Sequence, residues 1–185
     1  MFRAHYTQVL GGSSGVGAAA IQLLRMAVPN AIIIATSSVK HHAHVKSLGA
    51  TAVFDYTSSD IVQQIQAASP NGVGVEAIID AVNSIAVNNT LLQTLTGTKL
   101  FAEVITGQNA KDIPTDVNHT LVLAGNIMSA PGGENILAAL GELLESRAYK
   151  PPLPVTVAGA GLEAIENGLQ ILRNGVSGTK LIIKL

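Results

Sequence analysis

The chain has no cysteine and few charged residues. Without cysteine there is no disulfide scaffold, no thiolate zinc site and no cysteine nucleophile. Charged side chains make up 12% of the 185 residues, against about 25% in an average soluble domain. Hydrophobic residues make up 48%, and this excludes intrinsic disorder, which combines low hydrophobicity with high net charge. The composition therefore predicts a folded core, and the length predicts one domain or slightly more.

Long apolar runs are also lacking. Runs such as residues 31–35 are far shorter than the roughly 20 residues of a spanning helix. No apolar stretch near residue 1 has the form of a signal peptide. We therefore expect no membrane partner and a cytoplasmic location.

Acidic residues are missing from residues 1–54. That part carries four cations and four of the five histidines, whereas all twelve acidic residues follow it. The cations are Arg3, Arg25, Lys40 and Lys46. This asymmetry favours an anionic ligand near the N-terminal third. Nucleic acid is not the expected partner, since basic residues are few and stacking would rest on three Phe and three Tyr, with no Trp.

Short apolar runs alternate with helical patterns over the first 105 residues. Such alternation predicts an α/β fold, a doubly wound parallel sheet of the Rossmann type. The predicted strands are 7–10, 31–36, 52–55, 76–80 and 99–105. The predicted helices are 15–27, 39–48 with Gly49 ending it, one from 61 capped by Ser58 or Ser59, and 85–95.

The pattern is looser after residue 106. A strand over 120–128, a helix over 134–146 and a strand over 155–157 are predicted, followed by a helix over 162–173 and a strand over 180–185. Pro151, Pro152 and Pro154 interrupt this part. We therefore divide the chain into a dinucleotide-binding domain, residues 1–133, and a C-terminal extension, residues 134–185.

A glycine-rich turn, GGSSGVG at residues 11–17, lies between the first predicted strand and helix. Backbone N–H groups and the positive end of a helix dipole at such a junction hold a pyrophosphate. The alternative is a tight turn with no ligand. No Lys-Ser/Thr pair follows the glycines, so a P-loop is excluded. Within the G-x-G-x-x-G pattern Ser14 occupies the second glycine position, and the predicted phosphate-binding residues are Gly12, Ser13, Ser14, Gly15, Val16 and Gly17.

The end of the second predicted strand, residues 36–41, contains no acid. NAD-preferring domains place an Asp or Glu about there to bind the ribose hydroxyls. Hydroxyls and a lysine instead suit the 2′-phosphate of NADP, so NADP is the predicted cofactor, bound by Ser37, Ser38, Val39, Lys40 and His41. The alternative to NADP binding is that residues 36–41 are only the solvent-exposed start of a helix. His41, His42 and His44 lack the i, i+4 spacing of a zinc pair, and no metal site is expected.

Four blocks in order resemble the medium-chain dehydrogenase/reductase family, especially its zinc-independent quinone reductases and fungal enoyl reductases. They are the glycine turn, SLGATAVFDY at 47–56, AIIDA at 77–81 and VSGTKLIIK at 176–184. The resemblance implies that Tyr56 lines the NADP site with the residues matching 13–16 and 38–41. It also implies that Leu123, Ala124, Val176 and Ser177 lie near the nicotinamide end.

The resemblance also identifies a difference. Relatives have a catalytic domain ahead of the glycine turn, and their segment matching 134–185 packs on it. No counterpart of that domain is expected here, and no residue is named as catalytic. A short-chain dehydrogenase is the rival, but none of the three tyrosines has the required lysine four residues later.

The function expected from this resemblance is an NADP(H)-dependent, zinc-independent oxidoreductase. It would transfer a hydride to or from a small enone, quinone, carbonyl or alcohol, with the cofactor carrying the chemistry. The alternative is a non-catalytic NADP-binding module. Without a catalytic domain, the C-terminal segment should expose apolar residues, so a homodimer is possible. Those residues are Leu153, Val155, Val157, Ile182 and Leu185.

Overall fold

Six parallel strands form the main sheet of the computed structural model, which describes residues 5–105, 107 and 109–185. Arg3, one of the N-terminal cations, lies outside the described residues. The strand order β3-β2-β1-β4-β5-β6 is that of a Rossmann-type doubly wound sheet, as the sequence predicts. The strands are β1 (Tyr6–Leu10), β2 (Ile32–Ser37), β3 (Ala52–Asp55), β4 (Val75–Asp80), β5 (Leu95–Val104) and β6 (Asn118–Val122).

Helices connect these strands on both faces of the sheet. They are α1 (Gly15–Ala27), α2 (His42–Ser47), α3 (Ile61–Ala68) and α4 (Ser84–Val87). Segments of 3-10 helix extend three of the connections, Val39–His41 before α2, Pro70–Gly72 after α3 and Asn89–Thr94 after α4. Gly49 ends the α2 region with φ +117°, a conformation that favours glycine.

Two apolar clusters cover the two faces of the sheet, because neighbouring strand residues point to opposite sides. Ile33 packs with Ile21 and Val45 beneath α1 and α2. Ile34, the next residue, packs with Ile65 and Phe101 on the α3 side. The alternation explains why β2 is a continuous apolar run.

The C-terminal part forms a smaller unit. It contains α5 (Ile136–Glu145), β7 (Val155–Ala160), α6 (Ile165–Arg173) and β8 (Lys180–Lys184). β7 and β8 pair in parallel as a separate two-stranded sheet, with α6 against both strands.

Three local predictions are wrong. The strand expected over 120–128 stops at Val122, where Asn126 N–H donates to Leu123 O (2.9 Å) and a 3-10 turn begins. The helix expected over 85–95 breaks at Asn88, whose side chain accepts from Thr90 N–H (3.1 Å) and so competes with the helix bond.

The third concerns the start of α3. Its N-cap is Asp60, not Ser58 or Ser59, and no side chain caps it. The Ser58 hydroxyl instead donates to Asp60 Oδ1 at 2.7 Å. The Ser58 side chain therefore orders the loop without capping the helix, whereas the Ser58 backbone oxygen accepts from Ile61 N–H at 3.3 Å.

Candidate functional site

The glycine turn connects β1 to α1 at the carboxyl end of the sheet. Gly11 N–H donates to Thr36 Oγ1 (3.2 Å), and Gly12 N–H donates to Thr36 O (2.8 Å). Gly11 adopts φ +73°, which favours glycine. The turn is thus joined to the end of β2, so both predicted phosphate-binding elements lie side by side.

Gly17 is required by the packing of this turn. A Cβ there would lie 2.2 Å from Gly11 O. Ser14 is the N-cap of α1, and its hydroxyl accepts from Gly17 N–H at 3.0 Å. A Cβ at Gly15, by contrast, would meet only Leu153 Cδ1 at 3.8 Å. The turn therefore leaves space at Gly15 and none at Gly17.

The start of α1 has the features of an anion site. Within the part of the chain that the structure describes, the N–H groups of Ser13, Gly15 and Val16 have no hydrogen-bond acceptor. Gly17 and Ala18 N–H are satisfied by Ser14. The first turn carries no acidic residue, so the helix dipole is uncompensated. Three free donors and a positive dipole end fit a phosphate group.

The end of β2 places hydroxyl groups beside this anion site. Ser37 is buried, and Ser38 precedes the 3-10 turn without using its side chain as a cap. The nearest acid is Asp55, which is paired with Ser37 across β2 and β3. Its carboxylate accepts from Thr57 N–H and Oγ1 at 3.0 and 2.9 Å. These hydrogen bonds lower the pKa of Asp55 and direct its charge into its own loop.

A cleft of about 300 Å³ opens between the two elements. We call it the glycine-turn cleft. It is lined by Gly11, Ser13, Ser14, Thr36, Ser37, Ser38, Tyr56, Val82, Ser84, Val176, Ser177 and Gly178. An adjoining pocket of about 250 Å³ shares Thr36, Tyr56, Val82 and Ser84, and adds apolar residues such as Ile61 and Leu91. Together they form a groove across the ends of β1, β2 and β4, with Tyr56 at their junction.

The far wall of the groove is fixed by two buried carboxylates that sequence analysis does not single out. Asp80, fully buried at the end of β4, accepts from the N–H groups of Val82 (3.1 Å), Ser84 (3.0 Å) and Ile85 (2.8 Å). The signal is present in the AIIDA block, where an acid ends an apolar strand. Asp80 thereby sets the path of the loop that lines both cavities.

Glu103 supports the same loop from β5. It accepts from Asn83 Nδ2 (3.2 Å), Ala110 N–H (3.1 Å) and His119 Nε2 (2.8 Å). The ring of His119 stacks on Phe101, with centroids 4.9 Å apart. Asn83 has φ +56°, and the bond to Glu103 helps to hold this conformation. Sequence periodicity gives no sign of this network, because its members are separated by up to 36 residues.

The C-terminal segment reaches the cleft. His41 Nε2 lies 2.8 Å from Ser177 Oγ, and the loop 176–178 lines the cleft. Two contacts hold the preceding chain on α1 and α2. Gln22 bonds both the N–H and the C=O of Lys150 (3.1 Å each), and His44 Nε2 lies 3.0 Å from Pro152 O.

The predicted site residues are only partly brought together. Ser13, Ser14, Ser37, Ser38, Tyr56, Val176 and Ser177 line the cleft, and Gly12, Gly15, Val16, Gly17, Val39, Lys40 and His41 belong to the elements beside it. Leu123 and Ala124 do not join Val176 and Ser177. They follow β6, four strands from β2, or roughly 19 Å at 4.8 Å per strand. Leu123 and Ala124 therefore do not line the cleft, and their place near the nicotinamide end, with Val176 and Ser177, stays a prediction.

The described residues lack the features of two other kinds of site. None of their helices has the length and apolar character to cross a membrane. Nor do they contain a group of three His, Asp or Glu side chains arranged to hold a metal ion. Instead, His41, His42 and His44 face Ser177, Ser37 O and Pro152 O respectively.

Known proteins resemble this chain in sequence and in structure. The family model described as zinc-binding dehydrogenase matches residues 15–142. Dehydrogenase orsE of Emericella nidulans is 30% identical over 181 residues, which cover 96% of this chain and 50% of that protein. The trans-enoyl reductase tndF of Aspergillus flavipes is 30% identical over 197 residues, covering 96% and 53%. The chain thus spans about half the length of the curated relatives it matches.

Solved structures share the fold at lower identity. A putative NADPH:quinone reductase from Bacillus thuringiensis superposes with a TM-score of 0.82 at 17% identity, over 100% of this chain and 57% of that one. The CurK enoyl reductase gives 0.74 at 19%, over 96% and 54%. The family model covers more than half of the chain. The chain therefore belongs to the zinc-binding dehydrogenase family, the medium-chain dehydrogenase/reductases that its four sequence blocks resemble.

Proposed function

We propose that this chain binds NADP(H) and forms the cofactor-binding part of a reductase acting on an activated carbon–carbon double bond or a quinone. One observation carries the proposal. Three unpaired N–H groups at the start of α1 lie next to a strand end that offers hydroxyls, a lysine and no carboxylate of its own. Such a pair of features suits a molecule with a pyrophosphate and a further phosphate.

Each part of the groove has a role in this proposal. Ser13, Gly15 and Val16 N–H bind the pyrophosphate, and the space at Gly15 admits it closely. Ser38, Lys40 and His41 bind the 2′-phosphate. The apolar adjoining pocket receives the adenine, with Tyr56 beside it. When bound, the cofactor supplies the hydride, and the chain's own residues orient it.

The substrate class rests on the relatives. Several are named trans-enoyl reductases, and structural neighbours are named enoyl or quinone reductases. We assign no catalytic residue to this chain. We propose that residues 1–133 are the cofactor domain, and that residues 134–185 pack on a substrate-binding domain that completes the cleft.

Zinc independence is a further part of the proposal. The absence of cysteine from this chain supports it, since these residues offer no thiolate ligand for zinc. Metal analysis of the active full-length protein tests it. Stoichiometric zinc that is needed for turnover would contradict it.

Self-association is proposed from two features. β6 is an edge strand with Leu121 and Val122 exposed, and α5 also exposes apolar side chains. Unpaired edges and apolar patches favour association. A homodimer is the form we propose, and sedimentation measures it.

Calorimetry on the purified chain tests cofactor preference. We expect tighter binding of NADPH than of NADH. Ser38→Asp puts a carboxylate where the 2′-phosphate would bind and should abolish or reverse the preference. Gln63→Glu adds the same charge at an exposed position of α3 and should leave it unchanged. Equal affinities of the unaltered chain for the two cofactors would refute NADP specificity.

A non-catalytic NADP-binding module is the second candidate. The lining of the glycine-turn cleft favours this candidate. It offers hydroxyls and Tyr56, but no His, Asp, Glu or Lys that could act as an acid or base. Oxidation of NADPH by the chain with simple enones or quinones distinguishes the two. Binding without turnover, both alone and with the remaining half of the protein supplied, would favour the module.

A further inference from the structure

His41 lies where the C-terminal segment meets the end of β2. Its Nε2 is 2.8 Å from Ser177 Oγ, and a Cβ at Gly178 would lie 2.4 Å from its ring. Ser177 and Gly178 both line the glycine-turn cleft. The imidazole is therefore packed against the cleft wall. Its hydrogen-bond partner is the neutral hydroxyl of Ser177.

The charges that act on His41 are cationic. Partial burial is the main cause that lowers the pKa of His41 below 6.5, and the charges of Lys40 and His44 lower this pKa further. The loop 176–178 and the glycine turn bring no ionisable side chain. The loop after β3 brings Tyr56 and Asp55, and the Asp55 charge acts on His42.

We propose that His41 takes up a proton when the 2′-phosphate of NADPH binds, so that this histidine makes the preference for NADPH over NADH depend on pH. The proposal rests on the proposed function and extends it. In the free protein His41 shares its Nε2 with Ser177. A phosphate dianion at Ser38 and Lys40 adds the negative charge that the site lacks and stabilises the imidazolium.

The sign of the linkage follows from the two states. His41 is mainly neutral in the free protein at pH 7, because its pKa is depressed. The bound phosphate raises that pKa, so NADPH binds more tightly as pH falls from the bound-state pKa to the free-state pKa, and no more tightly below it. A shift of one unit corresponds to about tenfold in affinity. NADH lacks the phosphate and should bind with little pH dependence.

Calorimetry at pH 7 in two buffers of different ionisation enthalpy measures the protons exchanged on binding. We expect the chain to take up a substantial fraction of one proton per NADPH and almost none per NADH. The cofactor's phosphate has a second pKa near 6, so it would release protons on binding to cations. Net uptake therefore has to come from the protein.

Two variants test whether His41 is the group that takes up the proton. His41→Gln keeps a polar side chain but cannot titrate, and it should remove both the uptake and the pH dependence of NADPH affinity between pH 6 and 8. His5→Gln removes an exposed histidine that directly precedes β1, at the amino end of the strands and so opposite the site, and should leave both unchanged. Far-ultraviolet circular dichroism confirms that each variant is folded.

The outcomes separate this inference from the proposed function. NADPH preference without proton uptake, or uptake that persists in His41→Gln, would overturn the role of His41 and leave NADP binding intact. No preference for NADPH at any pH would overturn both.

Discussion

The sheet and the C-terminal part of this chain have similar apolar sequence patterns, but their apolar side chains are buried to different extents. Among the described residues, every buried hydrophobic side chain but Tyr149 lies at or before Phe101. In α1, Ala18 and Ile21 are fully buried. In α5, with an apolar stripe of comparable spacing, no residue is buried, and Leu137 is 79% exposed. Periodicity thus predicts an element and its apolar face, but not whether a partner for that face lies in the same chain.

The exposed region is nevertheless attached to the buried one at the site. Gln22, His44 and His41 each contact it, at Lys150, Pro152 and Ser177. These contacts are polar and few, whereas the sheet is held by two apolar clusters. We therefore expect the C-terminal segment to open without unfolding the sheet.

Hydrogen exchange should show the largest difference between the two regions. Amides of Ile33 and Ile34 in β2 open only with the whole sheet, while those of Ile182 and Ile183 in β8 depend on a two-stranded sheet. We expect β8 to exchange at least about a hundredfold faster, and sedimentation to show dimers or larger species. A strictly monomeric chain with equal protection in β2 and β8 would show that the C-terminal segment is self-sufficient.

Truncating one apolar side chain in each region should separate their contributions to stability. Ile34 is fully buried in the α3-side cluster, so Ile34→Ala should lower the free energy of unfolding by about 2–5 kcal/mol. At protein concentrations low enough to keep the chain monomeric, Leu137→Ala should change it by no more than about 0.5 kcal/mol. Urea denaturation followed by circular dichroism measures both. A large loss at such concentrations would mean that α5 packs on another part of the same chain. A loss that appears only at higher concentration would place α5 in the proposed homodimer interface.

The sequence predicts those parts of the fold and the site that depend on local patterns, and not those that depend on contacts between distant residues. The strands of the sheet and α1 are predicted because alternating burial leaves a clear pattern, and the glycine turn is predicted because Gly11 and Gly17 meet steric demands. The loop after β4 is not predicted, since Asp80 supplies only part of its support and the rest comes from Glu103 and His119 on other strands. The contact of Ser177 with His41 spans 136 residues, and no local pattern encodes it.

Gln22 offers a way to weaken the attachment alone. It is almost fully buried, and its side chain bonds both the N–H and the C=O of Lys150. Gln22→Ala removes both bonds, at about 1 kcal/mol each, so exchange at Lys150 and beyond should accelerate by roughly thirtyfold, since 1.4 kcal/mol is tenfold. Exchange in β2 should stay the same. Gln170→Ala, which removes an exposed bond to Glu166 on α6, is the control, and equal effects of the two variants would count against the attachment.

The smallest effect is expected at the ion pair between Lys99 on β5 and Asp116 in the loop before β6. The hydrogen bond from Lys99, and then its charge, lower the pKa of Asp116 below 3.8. A carboxyl with a depressed folded pKa stabilises the fold above its unfolded pKa, and this stabilisation is lost as pH falls through the folded pKa.

Carboxyl NMR should show Asp116 titrating below pH 3.8, and Lys99→Gln should return its pKa towards the usual value. Lys111→Gln, which removes an exposed lysine with no ion pair among the described residues, should not. If Asp116 titrates alike in all three proteins, this pair does not tie the edge of the sheet, and β6 belongs with the loosely held region rather than with the core.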